Sequence, residues 1–507
     1  MVTVRLRGLH VNRALNPFLK EARLEGTKMS KKRSWGLHVG LFSVLCLAVV
    51  GLIARNAFAA PDMPSSGEKK NVKLVGYNDL QGRETLQITV NGNWAFAGHL
   101  NDFYNVPPKQ KLNPITGFME WNGTSILEIS NPARPKLVWH IPNDISANSR
   151  SVQVVYNYGS PPRDYLIRNS EGGGVWKYQI FDITDRGTNP INIHLVGEIL
   201  GSPPNSCGPG CGGLFTNGTH KGWWSKDSGL FYSASNEPGF VSNHLVIHDL
   251  ADPANPVFVS RGWIPGQKVG DTEPAVGNFH HPVVDEANHR LYSGFRGTGE
   301  VVIYDITNPA TPTIVSYVGT QPPFRATHTA APVVYDVVQD IEEEALPRKY
   351  LLVCDEGGGG DYTDFPNVIR PVTFMFDISD ERNPFNVSIW QVPSEPFRFK
   401  GGRFGPHNFH ETVNGKLNDF KSKIVWFAYF NAGARVVDIS NPYQMKEVGY
   451  YIPEPTANSH PITPINAAKP EPTVIQTNDV DVDYRGLAYI VDRTGAGLHV
   501  LEYTGNK

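Results

Sequence analysis

One short pattern recurs along the whole chain and constrains its fold more than any other feature: an apolar strand ending in Asp-Ile-Ser/Thr-Asn-Pro. Val301-Val-Ile-Tyr-Asp-Ile-Thr-Asn-Pro309 is the clearest copy. Others are Ser125-Ile-Leu-Glu-Ile-Ser-Asn-Pro132, Tyr178-Gln-Ile-Phe-Asp-Ile-Thr184, Leu245-Val-Ile-His-Asp-Leu250, Thr373-Phe-Met-Phe-Asp-Ile-Ser379 and Arg435-Val-Val-Asp-Ile-Ser-Asn-Pro442, with a truncated copy at Leu498-His-Val-Leu-Glu-Tyr503. In each, Asx accepts local backbone bonds and proline fixes φ, so the strand stops in a turn. Two more strands precede each copy, and a further strand follows six of them. That makes seven units of four strands, with inner strands starting near Leu86, Ser151, His220, Phe279, His328, Phe409 and Asn478. Four-stranded units at this spacing predict an all-β, seven-bladed β-propeller. The seventh unit lacks a fourth strand, and segment 72–77 has no unit of its own. Pairing 72–77 with 498–503 is expected to complete the last blade and remove an exposed edge.

The formal net charge of −3 gives no basic face for nucleic acid. Near the start, Lys31, Lys32 and Arg33 precede an apolar run from Val39 to Ile53 and then Ala57-Phe58-Ala59. This is the layout of an export signal cut after Ala59, against the alternative of a retained anchor. The expected organisation is a 1–59 extension and signal peptide (with Met29 as an alternative start), a 60–71 linker and a 72–507 propeller in the periplasm or outside the cell. After cleavage no membrane span is expected to remain. In such an oxidising compartment Cys207 and Cys211 are candidates for a small-loop disulfide, and Cys354, within an apolar strand, reads as a buried inert thiol.

The repeated hydrophobic-Val-hydrophobic-Asp-Ile-Ser-Asn-Pro pattern resembles the LVIVD-repeat β-propellers of exported bacterial proteins, over roughly residues 72 to 505. The resemblance implies fold and location and leaves function open.

A propeller's chemistry gathers where inner strands open and second strands end, around one mouth of a central channel. Histidines recur at that position: His220, then His280 and His281, then His328, with His407 and His410 flanking the start of the next inner strand. Imidazoles at one register across consecutive blades suit copper, iron or zinc. A single such histidine is more often just hydrogen-bonded to a neighbouring loop. His280 and His281 cannot both face inward on a regular strand. Asp479 and Asp481 occupy the equivalent place in blade seven and, with Arg296, are candidate ligand-binding residues. Second-strand turns add Asn169, Glu171, Asn236, Glu237, Asp355, Glu356, Asn431, Asp492 and Arg493. Among these, Glu237 and Glu356 are candidate ligands or general bases.

Two functions remain in play. One is a metalloenzyme acting by redox chemistry on a small molecule. His280-His281, Gly405-Pro406 leading to His410-Glu411 and the repeat strands are distantly similar to selenium-binding proteins, which include methanethiol oxidase; the Cys-Ser-Ser-Cys segment of that family is absent. The other is a non-catalytic envelope module that binds a protein or glycan. No Gly-x-Ser-x-Gly or His-Glu-x-x-His motif favours a hydrolase.

Overall fold

In the computed structural model, the described residues are 67–506 apart from 102–109, 146, 173, 203–217, 275, 321–325, 340–344, 357–370, 396 and 462–471. The chain divides into Met1–Ala59 and Ala60–Lys507. The expected export signal and the candidate disulfide cysteines Cys207 and Cys211 lie outside the described residues, as does most of the expected 60–71 linker. No helix among the described residues is long and apolar enough to cross a membrane.

Four-stranded antiparallel sheets follow one another along the chain. The first holds Thr85–Asn91, Trp94–His99, Gly123–Glu128 and Lys136–Pro142. Val152–Tyr158, Arg163–Gly172, Val175–Asp185 and Asn192–Leu200 repeat the order, as do Thr219–Trp224, Leu230–Ser235, His244–Asp249 and Val257–Gly262. In the next sheet the first strand is broken into Asn278–Phe279 and Val283–Asp285, followed by Arg290–Arg296, Glu300–Asp305 and Thr313–Gly319. Thr327–Gln339, Ala345–Asp355, Thr373–Asp377 and Phe385–Trp390 come after it. An eleven-stranded sheet then contains two further runs, joined where Phe430 meets Thr477. One is Phe404–Phe409, Ile424–Phe430, Ala434–Asp438 and Lys446–Ile452; the other is Thr477–Val482, Ala488–Asp492, Leu498–Tyr503 and, from the other end of the chain, Val72–Asn78. Val72–Asn78 lies antiparallel to Leu498–Tyr503, from Val72 opposite Tyr503 to Asn78 opposite Leu498. Glu68–Lys70 adds an edge strand beside Lys446–Ile452. One expectation needs correcting: the inner strand expected to start near Phe409 starts at Phe404 and ends there.

The repeat works as its chemistry requires. The side chain of its Asp accepts the backbone N–H two residues on, at Asp182, Asp249, Asp305, Asp377 and Asp438, over 2.7–2.9 Å. Within these strands, just before that Asp, the register with the outer strand shifts by one residue, as at Ile303/Tyr304, Met375/Phe376 and Val436/Val437. Such bulges add right-handed twist. The outer strand also passes close to the next sheet's Asx-Pro turn. A Cβ on Gly76 would meet Pro132 O at 2.0 Å, and one on Gly197 would meet Pro253 O at 2.1 Å. Sheets pack face to face through aromatics, such as Tyr178 edge-on to Phe231 at 4.9 Å and Trp390 against Phe427 at 5.2 Å. Large apolar clusters lie between sheets, and the inner strands Thr219–Trp224 and Thr477–Val482 are buried throughout. The fold is a β-propeller.

A half-buried ion pair ties the residue before the first sheet to the chain preceding the last inner strand. His460 Nε2 lies 3.0 Å from Glu84 Oε1, and Lys111 Nζ lies 3.5 Å from the same oxygen. Burial pushes the Glu84 carboxyl up, but the His460 hydrogen bond and the Lys111 charge overcome it and hold it at about 2. Burial lowers His460, and its bond to Glu84 more than reverses that. Glu84 is depressed on folding, so its stabilisation is present above about pH 4.5 and lost as pH falls towards 2, an effect of up to about 3 kcal/mol. His460 is raised, so its share weakens as pH climbs above its ordinary value of 6.5. Glu84→Gln is expected to lower stability at pH 7 by about 2 kcal/mol and flatten the acid limb between about pH 5 and 2. Urea denaturation across pH checks this, and an unchanged acid limb in the variant would contradict it.

Candidate metal centre

The first strands of successive sheets present one buried histidine each to a cavity of about 100 Å³, lined by Arg150, His220, Lys221, His280, Arg296, His328, Glu356, Arg403, His407 and Arg493. The imidazoles form a row. His220 Nε2 is 2.9 Å from His280 Nε2. Ring centroids lie 4.2 Å apart for His280 and His328, and 4.4 Å apart for His328 and His407. His280, His328 and Glu356 each offer a ligand atom within 4.8 Å of the others.

The outer nitrogens are anchored. His220 Nδ1 lies 3.0 Å from Glu171 Oε2, and His407 Nδ1 donates to Asn478 O. The Thr329 hydroxyl donates to Asn408 Oδ1 at 2.6 Å, so it accepts the Nδ1–H of His328 at 2.6 Å. With Nδ1 protonated, His328 and His407 present Nε2 lone pairs to the cavity, and Glu171 as a carboxylate does the same for His220. His407 Nε2 takes a hydrogen bond from Arg493 at 3.2 Å. His328 Nε2 and His280 Nδ1 are buried without a hydrogen-bond partner. Burial, then neighbouring charges, holds all four rings well below their usual pKa, so they are neutral imidazoles suited to a metal.

These residues fit a transition metal. Metal-bound histidines characteristically donate their second nitrogen to a carboxylate, carbonyl or similar acceptor, as three of these do. His280, His328 and Glu356 would each offer a ligand atom to such an ion, with His220 Nε2 2.9 Å from His280 Nε2.

Glu356 is buried between cations: Arg296 Nε at 2.5 Å, Arg403 Nη1 at 2.6 Å and Arg493 Nη2 at 3.8 Å. Burial raises its carboxyl, but Arg296 and Arg403 hold it well below the ordinary range. Glu171 goes the other way: burial pushes it up to about 7 against the charge of Arg150, 3.4 Å away.

Not every expected residue joins this cluster. His281 lies with His280 in the break between Phe279 and Val283, but unlike its neighbour it does not line the cavity, and it places Nε2 3.2 Å from Glu411 Oε1. His410 is a structural histidine: Nδ1 accepts the Trp426 N–H at 3.1 Å and Nε2 meets Asn418 Nδ2 at 3.0 Å. It follows the end of the strand whose interior carries His407, so both its nitrogens are spent on its own sheet. Glu237 is held by His244 at 3.0 Å and by Arg261, and does not line the cavity. Arg296 does. Asp479 and Asp481 line a separate cavity of about 520 Å³ with Gln87, Gln153, Trp223 and Glu411. Asp479 accepts from Ile88 N at 2.9 Å and Asn408 Nδ2 at 2.7 Å, and burial, opposed by Lys221, pushes it up to about 7. Arg150, Lys221 and Arg403 were not expected at the cavity, although Arg150 and Arg403 lie just before the first strands Val152–Tyr158 and Phe404–Phe409 and Lys221 follows His220 within Thr219–Trp224. Cys354 is a buried free thiol whose pKa burial raises.

Fold and site together define a β-propeller with a histidine-lined cavity. The LVIVD repeat model matches residues 119–141 and 425–452, so this chain carries LVIVD repeats. No curated protein matches the chain. Among solved structures, the Pseudomonas aeruginosa periplasmic gluconolactonase PpgL is similar at 12% identity, covering 73% of this chain and 86% of that one, with a TM-score of 0.44. The β-propeller domain of Myceliophteria thermophila Cps50 (Swd1) is similar at 12% identity over 83% and 97%, with a TM-score of 0.46. A Lactobacillus plantarum protein is similar at 10% identity over 73% and 86%, with a TM-score of 0.46. These likenesses say nothing of activity.

Proposed function

We propose that the chain is a seven-bladed propeller, closed by strand 72–78 and exported to the periplasm or beyond, which binds a transition metal at its histidine row and carries redox chemistry on a small molecule there. The seven-blade count is supported by the recurring repeat and by the pairing of Val72–Asn78 with Leu498–Tyr503. Export is supported by the basic-apolar-Ala-x-Ala layout before residue 60. The observation that carries the metal reading is the row of four neutral imidazoles, three of which, His220, His328 and His407, have their outer nitrogens held by Glu171, Thr329 and Asn478. His220, His280, His328 and His407 would hold the ion, with Glu356 as the adjacent carboxylate. A bound copper or iron would supply the electron transfer that these side chains lack; zinc would supply only Lewis acidity.

Metal analysis of the purified protein tests this. Close to one copper, iron or zinc per chain is expected, falling at least tenfold in the His280→Ala/His328→Ala variant while the fold is retained. No stoichiometric metal in the wild type, after reconstitution with each of the three ions, would overturn the metal reading and leave a non-catalytic envelope binding module.

A further inference from the structure

We infer that the ligand received at this mouth is a compact oxyanion, a carboxylate or phosphate group seated against the guanidinium groups of Arg296, Arg403 and Arg493. The inference rests on reading this cavity as the functional site; it does not require the metal.

Charge is the first support. Among the described residues lining the cavity are five cations, Arg150, Lys221, Arg296, Arg403 and Arg493, and one carboxylate, Glu356, while Glu171 borders it beside Arg150 and Lys221 also feels Asp479 and Glu411. Three guanidiniums share Glu356, and Glu171 is already engaged by Arg150 and His220. Buried like charges repel with little screening, and an anion entering among them relieves that repulsion. A neutral ligand does not, and a cationic one adds to it.

The second support is donor chemistry. Guanidinium groups offer paired N–H donors in the fork geometry that carboxylate and phosphate oxygens match. Arg403 is largely buried and Arg493 almost wholly so, with side-chain exposures of 11% and 3%, so both are preset with little rotamer freedom left to lose. Arg296, at 35%, is the more accessible of the three. The cavity is small, about 100 Å³, which suits a small acid or its head group. An oxyanion here would lie beside His280 Nδ1 and His328 Nε2, the two partnerless nitrogens. The anchored side of the ligand and any metal would thus share one small volume.

Calorimetric titration with acetate, acetamide and inorganic phosphate tests the inference, on protein as purified and after metal removal. Acetate and acetamide have nearly the same shape and differ in charge. Saturable binding of acetate or phosphate to both forms is expected, with acetamide at least tenfold weaker; whichever anion binds more tightly names the head group. Arg403→Gln and Arg296→Gln should each weaken binding about tenfold, the loss of one charge-assisted contact. Arg296→Gln, being partly exposed, guards against misfolding. If neither anion binds either form, or acetamide binds as well as acetate, or both variants bind like the wild type, the inference is overturned. His280→Ala/His328→Ala separates the two readings. It should lose metal and keep the anion, so a failed metal analysis leaves the oxyanion result standing, and the converse also holds.

Discussion

A chain that begins at Asp79 is expected to lose cooperative folding. Val72–Asn78 supplies the outer partner of Leu498–Tyr503 and buries Val72, Tyr77 and Asn78. Tyr77 packs on His499 with ring centroids 5.0 Å apart, and Asn78 Nδ2 donates to Pro135 O at 2.9 Å. Glu68–Lys70, beside Tyr450–Ile452, goes with it. Burying Val and Tyr side chains contributes about 1.5–3 kcal/mol each. The ladder bonds and the newly wetted Val500 and Leu501 bring the loss to at least about 5 kcal/mol, the lower bound of a typical domain's net stability. The bared strand is also an unpaired edge that invites association between chains. Circular dichroism melts and size-exclusion chromatography should show a broadened, early transition and higher oligomers. A synthetic peptide of residues 67–78 should restore part of the stability by strand addition. A truncated monomer melting sharply, within about 3 °C of the full chain, would refute this.

Replacing Glu356 by Ala is expected to cost about 3–5 kcal/mol, the effect of removing one side of a buried ion pair and stranding the other. Here the stranded side is three guanidiniums, with Arg296 Nε and Arg403 Nη1 within 2.6 Å of the lost oxygens. Glu356→Gln keeps volume and one acceptor but removes the charge, so a smaller loss of about 2–3 kcal/mol is expected, within the range for charged hydrogen bonds. The double variant Glu356→Gln/Arg403→Gln should recover part of it, because the second change relieves the repulsion that the first creates. Urea midpoints for the four members of that cycle measure the coupling. Equal stability of Glu356→Ala and wild type would mean that the carboxylate is not the counter-ion of these arginines.

The strand repeat was legible because each copy carries its own terminator: Asp305 and its counterparts close their turns with their own side chains, a contact spanning two residues. The histidine row was legible for a related reason, since residues at one repeat position reach one place around the ring. His407 and His410 mark the limit of that rule. Three positions apart, one faces the cavity and the other is held by Asn418 and Trp426, and a register shift between Phe404 and Asn408 lies along that strand. Glu237 and Glu356 follow the same kind of second strand, yet Glu237 pairs with Arg261 and only Glu356 meets the arginines of the cavity. Their flexible side chains go to the nearest opposite charge, and only packing decides which charge that is.

By itself, then, the sequence determined the strands, their turns, the LVIVD repeat and the ring position of His220, His280, His328 and His407, because these depend on contacts within a few residues and on periodicity. The tertiary structure alone decided that Arg150 and Arg403 join Arg296 and Arg493 at the same mouth, and that Asp479 and Asp481 belong to a different cavity. Charges act through space, and the separations that set their strength exist only once the sheets have packed.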